Sequence, residues 1–375
     1  VNMVICQVAH SLFDVPRKIA RIDSEEFLDP LWQPLYSDKH LPIDLIISPD
    51  IEIAEAILKI LKYPGSSGVL PVLEGTYSIV SVKLGGSGPL LNVPLMQFER
   101  AVPDLEAAFV NIVRDGSSFI PETYDEFQPG DEINILVRSR DINELIRAFG
   151  VEKPANERIL IFGGNEIARY LGRKIEHDDS VVSCRIIEEN IDEARRLARD
   201  LSHVVVIQGA MMSDVILNEA DIRHTDASIA VTDNDKDNLL ASLLSAKSGV
   251  QSTISVVNTP SYNNLAVNIG DNILVDRSSV TISRLLKEIR RTKMVDAYSL
   301  SRGFGEIWEI KISEDNLCCD KKIGELNLPR QSRIFALKRK DDVVFPTPTT
   351  GLESGDVVLL YVDSNVIKQA EKIFS

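Results

Sequence analysis

The residues best suited to hold a ligand lie in a short turn at positions 163–168, which reads Gly-Gly-Asn-Glu-Ile-Ala. The turn follows the apolar run Ile159–Phe162 and precedes an amphipathic stretch that predicts a helix. Its spacing follows the pattern G-x-G-x-x-G/A. In that pattern the first glycine makes a tight turn, the second lets the backbone approach a pyrophosphate, and the third position packs helix on strand. Gly163 and Ala168 satisfy the first and third positions, whereas Asn165 stands at the second, where the pyrophosphate would approach.

An acidic residue lies where the same pattern needs one. Glu188 follows the next predicted strand, Val181–Ile187, and stands 25 residues beyond Gly163. The pattern places an acceptor for the ribose hydroxyls roughly 20 residues on, and the start of the helix would still present N–H groups to an anion. Two interpretations stay open: a dinucleotide site, or a Rossmann-type turn that no longer binds tightly because of Asn165.

The segment Val231–Asn238 ends another predicted strand and opens a helix. Its aspartates at 233, 235 and 237 resemble the start of a calcium loop. Position six of that loop is Asn238 rather than glycine and position twelve is Leu244 rather than glutamate, so calcium binding is not predicted. The segment predicts a helix cap, with Asp233 or Asn234 as the N-cap, and a loop facing a bound nucleotide where strand order reverses. Both roles can hold at once.

One cation in the first part of the chain is placed to meet a phosphate. Arg21 lies near the end of the predicted strand Lys18–Ile22, where a parallel sheet collects its ligand contacts. A solvated arginine is the alternative interpretation, and both stay open. The counterpart of Arg21 in the second half of the chain is Val256, so we expect the two halves to bind differently.

Composition excludes several classes of function. The 375 residues carry a net charge of −15, from 56 acidic and 41 basic residues, and an acidic surface disfavours nucleic acid. No apolar run approaches the roughly 18–20 residues needed to cross a bilayer. The five histidines and four cysteines show no metal-binding spacing, and this use of cysteine suits a reducing cytoplasm.

The elements that must position these residues repeat along the chain. Residues Val113–Phe149 align with Lys338–Phe374 at a constant offset of 225 residues and without a gap. The alignment places Arg114 on Arg339 and the pair Gly130-Asp131 on Gly355-Asp356. A weaker internal similarity aligns Asn2 with Asn238 and residues 18–21 with 253–256. The repeat implies two tandem modules of two parts each, the first of them lacking its beginning.

Each module combines an α/β part with a smaller α+β part. Short apolar runs alternate with helical patterns over Arg158–Lys293 and predict a parallel sheet. We therefore predict an α/β protein with tandem Rossmann-type N-domains, each followed by a small α+β C-domain. The expected boundaries are 1–64 for the first N-domain, truncated to the second half of a Rossmann fold, then 65–152, 153–294 and 295–375.

These features resemble the tandem RCK family, the regulators of K⁺ conductance, and within it the TrkA-type subunits of Trk potassium uptake systems. The resemblance covers nearly the whole chain, and the tandem repeat is its most specific part. It rests on residues 2–9, 19–22 and 46–49, the Gly163–Ala168 turn, Ile187-Glu188, Val231–Asn238, Gly130-Asp131 and Gly355-Asp356.

The resemblance implies the site residues as well as the fold. The second nucleotide site would comprise Gly163, Gly164, Asn165, Glu166, Ile167 and Glu188, with Gly209, Ala210 and Thr232 nearby. Of the first site only Arg21 would be present. Two departures weaken the predicted binding of a dinucleotide. Asn165 replaces a family glycine, and Gln208-Gly209-Ala210 lacks the aspartate that usually follows the glycine.

The family resemblance also implies ligands and partners. The ligand would be NAD(H), ATP or ADP, bound as a regulator without turnover. The chain would assemble into a ring, a homotetramer, on the cytoplasmic face of the plasma membrane and act on a Trk-type membrane potassium transporter subunit. Two alternatives stay open: a degenerate structural ring component that binds no ligand, and an NAD-dependent oxidoreductase. The oxidoreductase would need a His, Lys or Tyr near the nicotinamide, and the C-domains offer no such constellation.

Overall fold

The computed structural model of the chain describes residues 1–22, 27, 30–37, 40–259, 272–289, 296–300 and 304–374. In chain order the strands are β1 (Ile19–Arg21), β2 (Leu45–Ile47), β3 (Ser66–Val72), β4 (Tyr77–Lys83), β5 (Ala107–Arg114), β6 (Ser117–Phe119), β7 (Glu132–Arg138), β8 (Arg158–Phe162), β9 (Ser183–Glu188), β10 (Val205–Gln208), β11 (Ala227–Ala230), β12 (Ser252–Val257), β13 (Ile273–Asp276), β14 (Asp296–Ser299), β15 (Gly305–Lys311), β16 (Ser332–Arg339), β17 (Asp342–Val344) and β18 (Val357–Asp363). The helices are α1 (Asn2–Phe13), α2 (Pro49–Lys62), α3 (Phe98–Ala101), α4 (Ile142–Ala148), α5 (Glu166–Ile175), α6 (Ile191–Asp200), α7 (Asp214–Glu219), α8 (Asp235–Lys247), α9 (Arg277–Ile289) and α10 (Ile367–Phe374). None of these described helices is both long enough and apolar enough to cross a membrane.

Strands β8 to β13 form one parallel sheet in the order β10-β9-β8-β11-β12-β13. The sheet is covered on both faces, so neighbouring residues of β8 such as Leu160 and Ile161 are both fully buried. Chain order reverses between β8 and β11, and open α/β sheets bind their ligands at such a point, beyond the carboxyl ends of the strands. This arrangement confirms the predicted Rossmann-type α/β fold.

Two antiparallel sheets of five strands share one strand order: β3-β4-β7-β5-β6 in the first and β14-β15-β18-β16-β17 in the second. An offset of 225 residues carries β5 onto β16, β6 onto β17 and β7 onto β18. The register shifts at matching places, between Phe109 and Asn111 in β5 and between Ile334 and Ala336 in β16. The small α+β unit is therefore present twice. The prediction omitted the edge strands β3, β6, β14 and β17, which are short or, in β3, interrupted by Gly and Pro.

The repeat carries the same ion pair in each antiparallel sheet. Arg114 donates from Nε and Nη2 to the two carboxylate oxygens of Asp131, both at 2.7 Å. Arg339 donates in the same way to Asp356, at 2.9 and 2.8 Å. Both carboxylates are buried, and the hydrogen bond to Asp131 raises the pKa of Arg114. The aligned Arg and Gly-Asp positions of the sequence therefore mark one structural contact made twice.

The two antiparallel sheets pack face to face. Leu136 of β7 and Tyr361 of β18 belong to one buried apolar cluster that draws on both sheets. Arg333 of β16 crosses the interface and donates to the backbone carbonyls of Phe109 and, at 3.2 Å, of Pro121. Burial lowers the pKa of Arg333. The C-terminal parts of the two modules therefore share a common core.

Helix α2 joins the first module to the six-stranded sheet. Ile57 of α2 is fully buried in the apolar cluster that also holds residues of β8 and β11. Two ion pairs tie α2 to α9: Asp50 to Arg277 at 3.0 Å, and Glu52 to Arg284 at 3.3 Å. Helix α2 therefore contacts both the core of the six-stranded sheet and α9.

Strands β1 and β2 form a separate two-stranded parallel sheet. Asn2 of α1 donates from Nδ2 to the carbonyl of Arg21 at 2.7 Å. Asn238 of α8 donates in the same way to the carbonyl of Val256 at 2.9 Å. The weaker internal similarity of the sequence aligns these same residues, Asn2 with Asn238 and Arg21 with Val256. Helix α1 and strand β1 therefore repeat the local geometry of α8 and β12.

Candidate functional site at the carboxyl edge of the parallel sheet

The turn after β8 has a backbone shape that glycine alone adopts easily. Gly163 has a φ of +98°, and a Cβ at this position would lie 2.9 Å from Cγ2 of Thr232. The Gly163 N–H donates to the carbonyl of Ile187 at 2.9 Å, which attaches the turn to the end of β9. Thr232 is held by Asn238, whose Oδ1 accepts from its N–H at 2.8 Å and from its hydroxyl at 2.7 Å. Thr232 therefore lies against the turn where strand order reverses.

Asn165 is the N-cap of α5. Its Oδ1 accepts from the backbone N–H groups of Ile167, at 3.1 Å, and Ala168, at 3.2 Å. Its Nδ2 donates to the carbonyl of Val231, just beyond β11. Helix-start N–H groups lack partners within the helix and are the groups that bind anions. In this chain Asn165 satisfies two of them.

Glu188 lies over the turn. Its Oε2 accepts from the N–H of Gly164 at 2.5 Å, and its Oε1 accepts from the N–H of Asn190 at 2.7 Å. A Cβ on Gly164 would lie 2.6 Å from the same Oε2, so the close approach requires glycine. The structure thus brings together the turn and the carboxylate that the sequence pattern paired, and the carboxylate is half-buried.

The charges beside the turn are paired within the protein. Glu166, in the first turn of α5, accepts from Nη2 of Arg196 at 2.6 Å and from Nε of Arg169 at 3.0 Å. The hydrogen bond to Glu166 raises the pKa of Arg196. Ile167 is fully buried and packs α5 onto the sheet. Both guanidinium groups are therefore engaged by a carboxylate at the helix start.

Gly209 and Ala210 follow β10, next to Glu188. The Gly209 N–H donates to the carbonyl of Glu188 at 3.0 Å, and a Cβ at Gly209 would lie 2.4 Å from Cδ1 of Ile216. Ala210 is exposed and presents a methyl group at this edge. Gly209 therefore has a packing role that accounts for its residue type.

Arg21 lies apart from the other predicted site residues. It is exposed, and it belongs to β1, where it stands opposite Ile47 of β2 in the separate two-stranded sheet. The turn at Gly163 belongs to the six-stranded sheet. The structure therefore brings nine of the ten predicted residues to one edge and leaves Arg21 in another sheet.

Three residues that shape this edge are not among the predicted site residues. They are Val231, whose carbonyl binds Asn165, Asn238, which holds Thr232, and Arg196, which pairs with Glu166. Asn238 had a signal in the sequence, because the repeat aligns it with Asn2. Val231 also had one, because it begins the segment 231–238 that the sequence predicts to face a nucleotide. Arg196 had none, because its contact with Glu166 joins two helices that are 30 residues apart in the chain.

Asn234 and Asp235 of the 231–238 segment stabilise the local structure. Asn234 caps α8 through the N–H of Lys236 at 3.0 Å, which settles the choice of N-cap. Burial by itself would raise the pKa of Asp235. Hydrogen bonds from Asn258 and Thr259, including their N–H groups at 2.9 and 3.0 Å, outweigh that effect and lower it. Within the described ranges, no group of three His, Cys, Asp or Glu side chains is placed to hold a metal ion.

A cavity of 420 Å³ lies elsewhere, where α2 meets β3, β13 and β14. Its lining includes Glu52 and Arg284, which pair with each other. None of the predicted site residues lines this cavity. The turn at the end of β8 therefore remains the candidate site.

Comparison with known proteins identifies both parts of the second module. The family described as the TrkA-N domain matches residues 159–277, and the family described as the TrkA-C domain matches residues 307–375. Among solved structures, the GsuK RCK domain superposes with a TM-score of 0.57 at 17% identity. The match covers 99% of this chain and 78% of that one. At such low identity the likeness supports the fold alone.

Two relatives extend the match to the whole chain. The Trk system potassium uptake protein TrkA of Azorhizobium caulinodans is 33% identical over 374 residues, which span all of this chain and 82% of the relative. The protein of the same name from Halomonas elongata is 30% identical over 378 residues, with the same coverage. The chain therefore belongs to the family of Trk system potassium uptake proteins TrkA.

Proposed function

We propose that the chain is the regulatory, non-catalytic subunit of a Trk-type potassium uptake system. It gates a membrane potassium transporter subunit from the cytoplasmic face of the plasma membrane, as a homotetrameric ring, in response to NAD(H), ATP or ADP. Support comes from the names of the relatives and from the Rossmann strand order. We also propose that the domains divide at the boundaries predicted from the sequence.

The observation that carries this proposal is the contact between the turn and Glu188. A glycine turn, a helix start and a half-buried carboxylate meet at the carboxyl edge of a parallel sheet, next to the point where strand order reverses. Open α/β sheets bind their ligands at this place. In the proposal, the carboxylate of Glu188 accepts hydrogen bonds from the ribose hydroxyls, and the turn at Gly163 faces the phosphates.

Regulation by such a ligand needs two conformations of the ring. A nucleotide that binds one conformation better than the other shifts the equilibrium between closed and open transporter by its difference in affinity. In the proposal, a conformational change at the site reaches α5 first. Helix α5 packs on α2, and α2 in turn forms ion pairs with α9. The acidic groups at the turn are held by arginines and backbone N–H groups, so binding is the role they suit.

The experiment is a flux measurement with a matched pair of glycine variants. The chain is reconstituted with its Trk-type membrane subunit in proteoliposomes, and rubidium uptake is measured with and without ATP, ADP and NADH. Gly163→Ala should abolish the response to nucleotide, because its Cβ would clash with Thr232. Gly86→Ala is the control, since a Cβ at Gly86 has no atom within 4 Å. A nucleotide response that survives in Gly163→Ala would contradict the proposal.

A second candidate is a structural ring component that binds no ligand. One observation favours it: Asn165 already fills part of the site that a phosphate would occupy. On this alternative, the chain would still be required for rubidium uptake, but no nucleotide would change the rate in the wild type or in either glycine variant.

A further inference from the structure

We infer that Asn165 is a displaceable latch that competes with the phosphates of the ligand, so that it sets the affinity of the site and discriminates between phosphorylated and unphosphorylated ligands. The inference rests on the proposed function and adds a residue role to it. Asn165 holds both ends of its amide in fixed contacts. Its oxygen caps α5, and its nitrogen donates to the carbonyl of Val231.

The amide oxygen of Asn165 occupies the position that a phosphate of the ligand would take. The N–H groups of Ile167 and Ala168 are bonded to Oδ1 at 3.1 and 3.2 Å, and these groups lie in the first turn of α5, where the fold binds a pyrophosphate. A ligand phosphate can take these donors only if the side chain of Asn165 leaves them. Phosphate binding therefore requires the loss of a helix cap.

The amide nitrogen of Asn165 links the turn after β8 to the end of β11. Val231 directly follows β11, and Asn165 lies in the turn that follows β8, so the side chain bridges the two strands between which chain order reverses. Val231 is fully buried and its position is fixed by its own N–H, which donates to the carbonyl of Phe162 at 2.9 Å. Release of Asn165 therefore breaks a link between the α5 turn and the loop that leads to α8.

The local charges reinforce the effect on phosphates. Glu188 and Glu166 are both carboxylates beside the turn, and Arg196 and Arg169 are engaged by Glu166. The ribose of a ligand needs only an acceptor such as Glu188, which lies on the other side of the turn from Val231. A nucleoside without phosphate should therefore bind without moving Asn165, whereas a nucleoside diphosphate should not.

The test compares ADP with adenosine on the 375-residue chain by isothermal titration calorimetry. Asn165→Gly should tighten ADP binding by roughly fourfold to twentyfold, the range expected when one helix cap is replaced by glycine and one half-buried hydrogen bond no longer has to be broken. Adenosine binding should stay unchanged. Asn165→Asp keeps an acceptor at the cap but loses the donor and adds a negative charge, so it should weaken ADP binding. Asp276→Gly is the control, because Asp276 caps α9 through Ser278 and Ser279 in the same manner.

The outcomes separate the latch from the function on which it rests. Measurable ADP binding that is equal in the wild type and Asn165→Gly overturns the latch but leaves nucleotide sensing intact. An equal gain for ADP and adenosine, or a matching gain in Asp276→Gly, also overturns it. Binding of neither ligand to any variant overturns the proposed function and the latch together. A gain confined to ADP and to Asn165→Gly supports the latch.

Discussion

The ion pair repeated in the two antiparallel sheets predicts a large and specific loss of stability when its arginine is removed. The perturbation is Arg114→Met, which keeps most of the volume of the side chain. It deletes two hydrogen bonds to Asp131, each at 2.7 Å, and one from Nη2 to the carbonyl of Glu126 at 2.8 Å. The carboxylate of Asp131 is fully buried. It would then lie in the protein interior without its guanidinium partner, although the N–H of Gln128 still donates to it at 2.8 Å.

The magnitude follows from that burial. Breaking a buried ion pair by removing one partner typically destabilises a protein by about 3–5 kcal/mol. At roughly 2–4 °C per kcal/mol for a unit of 150–250 residues, the melting temperature should fall by at least about 6 °C. We expect a similar fall in melting temperature for Arg339→Met, because Asp356 is buried and accepts the same pair of hydrogen bonds.

The assay is thermal unfolding followed by differential scanning calorimetry, with an exposed ion pair as control. Arg140 lies 3.4 Å from Asp141, but its side chain is 74% exposed. Arg140→Met should shift the melting temperature by no more than roughly 4 °C. Equal shifts for Arg114→Met and Arg140→Met would refute the reasoning, since burial would then not set the cost.

Three further predictions follow from buried groups. Asp235 has a lowered pKa in the folded chain, so its contribution to stability is present above the ordinary aspartate pKa near 4 and is lost as pH falls through the folded value. Acid titration of the unfolding free energy should accordingly show a shallower loss below about pH 4 in Asp235→Asn. Burial raises the pKa of the Cys184 thiol to about 12, so iodoacetamide at pH 8 should alkylate the half-buried Cys319 first. Rapid labelling of native Cys184 in peptide mass spectra would contradict its burial. Ile57→Ala should destabilise the contact of α2 with the six-stranded sheet by about 2–5 kcal/mol, visible as faster hydrogen exchange in α5 as well as α2; unchanged exchange in α5 would show that the two helices are not coupled.

The elements of the fold were accessible from the sequence because they depend on local pattern and on the repeat. The alternation of apolar runs and helical stretches predicted the parallel sheet, and the 225-residue offset predicted the second antiparallel unit. Pairing across the antiparallel sheets was not accessible. Arg333 reaches the carbonyl of Phe109 only because the two sheets pack face to face, and no periodicity in the chain encodes that packing.

The candidate site was likewise predictable from the sequence only in part. The spacing from Gly163 to Glu188 brought the turn and the carboxylate into one prediction, and both lie at one edge of the sheet. The contact of Asn165 with Val231 depends on β8 and β11 being neighbours, which is a property of strand order rather than of spacing. Arg21 was chosen by its place at the end of a strand. That rule does not tell which sheet the strand joins, and among the strands that the structure describes β1 pairs with β2 alone.

The measurement that tests the central claim most directly is a calorimetric titration of the 375-residue chain with NADH, NAD⁺, ATP and ADP, run beside an oxidoreductase assay. We predict binding of at least one nucleotide, no turnover of any hydroxy-acid or aldehyde substrate, and loss of that binding in Gly163→Ala but not in Gly86→Ala. Absence of binding to every nucleotide would contradict ligand sensing by this chain, and turnover would contradict a purely regulatory role.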